Sequence, residues 1–163
     1  MLDIRSATSK ELAIVEELAH LIWPDAYKDI LSSEQLDYML RLMYNQQALQ
    51  QQQNSGHQFF LAWEGSEPVG FASFSEVSTG IFKLHKIYVL PQTQGKGYGK
   101  QLLQFIATNC RQQNGKALQL NVNRHNKAKF FYEKMGFTVI QEEDINIGSG
   151  YFMNDYVMEL GLE

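Results

Sequence analysis

Apolar residues recur along this chain at two different periods, and the switches between them divide it into elements. Leu2 and Ile4 alternate with polar neighbours, which predicts a short strand over 2–6. Thr8-Ser9-Lys10-Glu11 has the form of a capping box, in which a hydroxyl and a carboxylate each take a backbone N–H that an opening helix leaves unpaired. Ile14, Val15, Leu18 and Ile22 follow on one helical face. Ser32 to Gln35 opens a second helix with Leu36, Met39, Leu40 and Met43 as its stripe. The glutamine-rich run 46–53 reads as a solvated helix end fraying into Asn54-Ser55-Gly56. Strands are predicted near 57–63 and 68–76, joined by a Glu-Gly-Ser-Glu-Pro turn. A strand over 81–90, a helix over 98–112, a strand over 117–122, a helix over 127–135 and strands over 137–146 and 150–160 complete the chain. This order predicts an α+β (mixed α/β) fold: a mixed, mostly antiparallel twisted sheet of about seven strands with about four helices on its faces. No linker interrupts it, so residues 1–163 read as one domain.

Composition narrows the function classes. The chain has 163 residues, of which 44% are hydrophobic and 20% charged, a globular balance with room for a core. No stretch approaches the ~20 apolar residues of a membrane span, and the start does not resemble a signal peptide. No membrane partner is expected. Cys110 is alone, which excludes an internal disulfide and suits a reducing cytoplasm. Its apolar helical position predicts a buried hydrophobe rather than a nucleophile. The four His residues and one Cys show no metal-ligand spacing, so no metal is expected. A net charge of −4 without a basic block argues against nucleic acid as a partner.

The chemistry concentrates between Lys83 and Lys100. An apolar strand carrying Ile87, Tyr88, Val89 and Leu90 stops at Pro91, and a loop with Gly95, Gly97 and Gly99 leads into a helix. The first N–H groups of a helix have no partner within it and the dipole is positive there, so such a loop accepts an anion. Alternate glycines let the backbone approach the ligand closely, and Lys96 and Lys100 add charge. The dinucleotide fingerprint fails, because Lys100 stands where a third glycine is required. The mononucleotide P-loop fails too, because the spacing between Gly95 and Gly99 is short by one and Lys100 precedes Gln101.

The loop instead resembles the acetyl-CoA pyrophosphate loop of the GNAT superfamily of N-acetyltransferases, Gln/Arg-x-x-Gly-x-Gly/Ala, at Gln94, Gly97 and Gly99. A second stretch carries the resemblance further: a strand with Leu118, Leu120 and Val122, then Asn126, Ala128, Phe131, Tyr132, Gly136 and Phe137. Asn126 is a good helix N-cap, and Gly136 a suitable stop. The resemblance implies that acetyl-CoA, as co-substrate, lies against Gln94, Gly95, Lys96, Gly97, Tyr98, Gly99 and Lys100. The backbone of Ile87, Tyr88 and Val89 would hold the pantetheine and acetyl end, and Asn126 would contact the CoA arm. Tyr132 would protonate the leaving thiolate. Its reference pKa of about 10 keeps that proton in place at neutral pH.

The family's usual glutamate base is replaced here by Lys83. His85, on the same strand face, is the local substitute, and Glu76 on the preceding strand is the second candidate. Trp23, Asp25, Tyr27, Tyr38, Asp144, Tyr151, Phe152, Asp155 and Tyr156 lie where the family sets acceptor specificity. Acids among aromatics suit an amine. The expected acceptor is a small primary amine such as a polyamine. A protein N-terminus or lysine, a longer acyl group, and a non-catalytic acyl-CoA-binding regulatory module are the alternatives. Homodimers are common in the family, so a homodimer is an expectation as well.

Overall fold

The computed structural model describes residues 1–163. Its seven strands are β1 (Leu2–Ser6), β2 (Gln58–Glu64), β3 (Glu67–Ser78), β4 (Ile81–Val89), β5 (Ala117–Asn123), β6 (Thr138–Gly148) and β7 (Tyr151–Gly161). They form one sheet in the order β1-β2-β3-β4-β5-β7-β6. Every pairing is antiparallel except β4 with β5. The exception follows from the connection: helix α4 (Tyr98–Gln112) carries the chain back so that β5 starts beside the beginning of β4.

Helices α1 (Leu12–Tyr27), α2 (Ser33–Met43) and α3 (Gln46–Asn54) cover one face of the sheet. Their core includes Val15, Leu18, Ile22, Trp23, Leu40, Tyr44 and Phe71. Helices α4 and α5 (Ala128–Lys134) cover the other face over Phe74, Phe82, Leu102, Ile106, Leu118 and Phe137. Cys110 is buried there, as its helical position predicts. The capping box forms at Thr8 and Glu11, but it opens a single 3₁₀ turn before α1 rather than α1 itself. Ser32 caps α2 through Gln35 N–H at 3.1 Å. No helix is long and apolar enough to cross a membrane.

The glutamine run corrects the expectation of a frayed end, and it makes five helices rather than four. Asn45 starts a new helix by accepting the Ala48 N–H at 2.8 Å, and Leu49 is fully buried. The glutamines are tethers. Gln52 and Gln53 donate to the carbonyls of Met43 and Ala7, at 3.1 and 3.2 Å, and Gln46 donates to Glu16 at 2.6 Å. Periodicity missed this helix because one buried leucine makes no stripe.

Candidate active site

Two irregularities in β4 create the site. The first is a bulge against β3. Ser73 pairs with Lys86 and Phe74 with Leu84, which leaves His85 as an extra residue. Strict alternation breaks there, so His85 and Lys86 both reach the face covered by α1 and α2. The second is a divergence from β5. Parallel pairing ends at Leu84 with Leu120, although β4 continues to Val89 and β5 to Asn123. Leu90 N–H donates to the Val69 carbonyl at 2.8 Å. Alternation along that antiparallel ladder turns the N–H and C=O groups of Ile87 and Val89 toward the gap.

A cavity opens from the gap on each side. One, of about 400 Å³, is lined by Ile87, Tyr88, Val89, Gln94, Asn126 and Tyr132. The other, of about 280 Å³, lies beneath α1, α2 and the β6–β7 hairpin, against Trp23, Tyr44, Lys83, Asn121, Phe152 and Asp155. Both are lined by Tyr27, Leu84, His85, Lys86, Tyr88 and Asn121, so the two spaces meet at the divergence of the strands.

The glycine loop reaches the first cavity through Gln94. Gly95 and Gly97 take φ of +87° and +76°, and a side chain built at either meets nothing within 4 Å. Gly97 caps α4 without any side-chain bond. The N–H groups of Tyr98, Gly99 and Lys100 make no backbone bond, which leaves an open cradle of donors at a helix N-terminus. Lys96 turns away from the cradle to pair with Glu64 at 3.1 Å, and the Tyr98 hydroxyl bonds to the same carboxylate. Tyr98 is a core residue, so the ligand surface it offers is its backbone. Asn126 accepts the Ala128 N–H at 2.9 Å, and that bond fixes its side chain at the start of α5.

Tyr132 projects from α5 into the first cavity. Its ring rests against Phe131 and Phe137, with centroids 5.4 and 5.7 Å away, and its hydroxyl has no hydrogen-bond partner in the chain. Burial pushes its pKa up, so the phenol keeps its proton.

The second cavity has aromatic walls and a polar floor. Trp23 packs on Tyr27 and Tyr44, with centroids 4.7 and 5.3 Å away, and the Tyr27 and Tyr88 hydroxyls bond at 2.7 Å. Lys83 donates to Asn121, whose amide donates to the buried Asp155 at 3.1 Å. Burial raises the Asp155 pKa and lowers that of Lys83.

The sequence candidates divide accordingly. Trp23, Tyr27, Phe152 and Asp155 line the second cavity, and Asp25 lines the first. Tyr38 donates to the Ile147 carbonyl at 2.7 Å and packs its ring at a tilt against Tyr151, with centroids 5.2 Å apart. Asp144 pairs with Arg124 at the surface, and Tyr156 lies under Lys129 and packs against the core beneath α4 and α5. Glu76 is not brought to the site. It is exposed at the β3–β4 turn, where it accepts the Gly80 N–H at 2.9 Å.

His85 does reach both cavities, but its Nε2 bonds to Ser75 Oγ at 2.7 Å and its ring stacks on His57 at 3.9 Å. Burial first, then the charges around it, lower its pKa to about 3. Lys86 and Asn121 are site residues that the sequence reading passed over. The signal for Lys86 was the break in alternation at His85-Lys86.

The sequence matches the profile of the Acetyltransferase (GNAT) domain over residues 27–159. The chain belongs to the GNAT acetyltransferase family. Spermidine N(1)-acetyltransferase of Thermoplasma acidophilum is 28% identical over 158 residues, 93% of this chain and 95% of that protein. The ribosomal protein bS18-alanine N-acetyltransferase of Haemophilus influenzae is 33% identical over 89 residues, spanning 55% of this chain and 57% of that relative. The PaiA N-acetyltransferase of Thermoplasma acidophilum, solved in complex with coenzyme A, superposes with a TM-score of 0.82 at 26% identity over 99% of both chains. The divergence of β4 from β5, the glycine cradle and Tyr132 thus belong to an N-acetyltransferase of the GNAT family.

Proposed function

We propose that this GNAT acetyltransferase moves the acetyl group of acetyl-CoA directly to the primary amine of a small molecule, with polyamines the leading acceptor class. The observation that carries the reading is the meeting of the two cavities at the β4–β5 divergence. A thioester in one and an amine in the other would come together without a covalent relay. Cys110, the one thiol in the chain, is buried in the α4 core, and burial pushes its pKa up to about 12.

The loop from Gln94 to Lys100 suits the pyrophosphate, with the open N–H groups of α4 as donors. The free edge of β4 at Ile87 and Val89 suits the amide-bearing pantetheine arm, and Asn126 faces the same space. Tyr132 supplies the proton that the departing thiolate needs. Polyamines are favoured by the buried Asp155 carboxylate among aromatic walls and by the likeness to the Thermoplasma spermidine enzyme along nearly its full length.

The test is CoA-thiol release from acetyl-CoA across spermidine, spermine, amino acids, aminoglycosides and short peptides. Acceptor-dependent release with the polyamines is expected. Release with peptides alone would move the acceptor to a protein N-terminus or lysine. No release, with acetyl-CoA binding seen as a thermal shift, would replace the enzyme reading with an acyl-CoA-binding regulatory module.

A further inference from the structure

A lysine buried without a counter-ion needs an explanation, because an uncompensated ammonium inside a protein is expensive. Lys86 is 7% exposed, next to the bulge in β4, and lines both cavities. It makes no salt bridge and no hydrogen bond; its Nζ lies 5.0 Å from the Tyr44 ring centroid and 5.9 Å from that of Phe59. The other lysine of the second cavity, Lys83, is already satisfied through Asn121 and Asp155. Lys86 is therefore the one strong proton acceptor at the junction whose nitrogen is uncommitted.

We propose that Lys86 is the general base of the acetyl transfer, its neutral Nζ taking a proton from the bound acceptor ammonium. This rests on the acetyl-transfer reading given above. The proton passes from the acceptor nitrogen to Nζ, and the freed lone pair then forms the N–C bond at the thioester carbonyl. As the C–S bond breaks, sulfur leaves with its electron pair and takes the Tyr132 proton. The new amide loses its second N–H proton to the tyrosinate, and Lys86 returns its own to solvent. The net reaction releases CoA thiol, the acetylated amine and one proton.

The groups around Lys86 support the assignment. The titratable neighbours are Tyr27 on α1, Tyr44 after α2, His57 before β2, and Lys83, His85 and Tyr88 on β4. Asp155 on β7 is the carboxylate lining the second cavity, where it is held by Asn121, and Asp25 on α1 and Tyr132 on α5 line the first. Nothing anionic stands against Nζ to keep it charged. Burial accordingly lowers the Lys86 pKa to about 8, so a neutral fraction exists at physiological pH. A neutral Lys86 also removes a repulsive charge from a cavity that must admit an ammonium. His85, already bonded to Ser75, forms the wall beside it.

The decisive comparison is Lys86→Arg, which keeps a positive charge but cannot give up its proton, with Lys86→Met as the charge-free partner. Wild-type kcat for the best acceptor should climb with pH and level off above about 8. In K86R, kcat at pH 8 should fall by about 100-fold or more with acetyl-CoA affinity unchanged, and the limb should move to higher pH. A K86R enzyme that keeps both the rate and the limb would overturn the assignment. If the variants do not fold, the wild-type protein decides. The pH dependence of acetic-anhydride labelling at Lys86, read by mass spectrometry, should show a midpoint near 8, and a midpoint above 10 would refute the base. A wild type inert on the whole amine panel would sink the transfer reading and the base together. An active wild type with an unchanged K86R would sink the base alone.

Discussion

Tyr132 on α5 and Lys86 on the bulged strand both line the first cavity, and Lys86 lines the second as well. Burial rather than a specific partner raises the pKa of Tyr132 and lowers that of Lys86, and this makes their contributions separable. Tyr132→Phe leaves the aromatic packing on Phe131 and Phe137 in place and removes only the hydroxyl. It should lower kcat by about 100-fold while acetyl-CoA binding, followed by calorimetry, stays at the wild-type value. Lys86 has a stability signature besides its kinetic one. Its folded pKa is lowered to about 8, so between that value and the unfolded 10.5 the unfolded chain binds more protons. Stability should therefore rise with pH across this window by about 3 kcal/mol at most. Urea midpoints of wild type and Lys86→Met between pH 8 and 10.5 should differ by this slope, the variant lacking it.

At the scale of elements, the cradle before α4 and the short helix α3 depend on local backbone chemistry of opposite kinds. The cradle needs bare backbone: Gly97 holds φ at +76°, and the space beside its Cα is empty. Gly97→Val should strain the loop and fill the ligand's side of it. The expected outcome is a loss of acetyl-CoA binding with a smaller change in melting temperature, read by thermal shift with and without acetyl-CoA. Helix α3 is the reverse case, since side chains hold it: the Asn45 cap, the buried Leu49 and the glutamine tethers. Asn45→Ala should cost about 1 kcal/mol through loss of the bond to Ala48, and Leu49→Ala about 2–5 kcal/mol through the cavity it leaves. Chemical denaturation would show α3 to be a free surface segment if both substitutions proved neutral.

For the whole molecule, the stacked pair of His57, just before β2, and His85, on β4, gives the fold an acid sensitivity. Both pKa values are lowered, that of His85 to about 3, so protonation favours the unfolded chain. Stability from this pair is full above the unfolded value near 6.5 and should be lost as pH falls from there toward 3. His85→Gln should blunt that acid limb in urea titrations. Much of this architecture was legible beforehand. Alternating and helical periods placed every strand to within two residues, and the sequence placed the glycine loop at the start of α4 and Asn126 at the start of α5, because loop and capping chemistry are local properties of sequence. The acceptor side was less so. On paper His85 is the first substitute for the base and Glu76 the second, yet Glu76 ends at a turn and His85 is bound to Ser75. Lys86 passed unnoticed because a lysine on a strand reads as solvent-exposed until a bulge against β3 turns it inward. Sequence determined which segments become strand, helix and anion loop, since those depend on neighbours within a few residues. Only the tertiary structure decided which titratable groups share a cavity, because burial and charge pairing depend on residues that meet from distant parts of the chain.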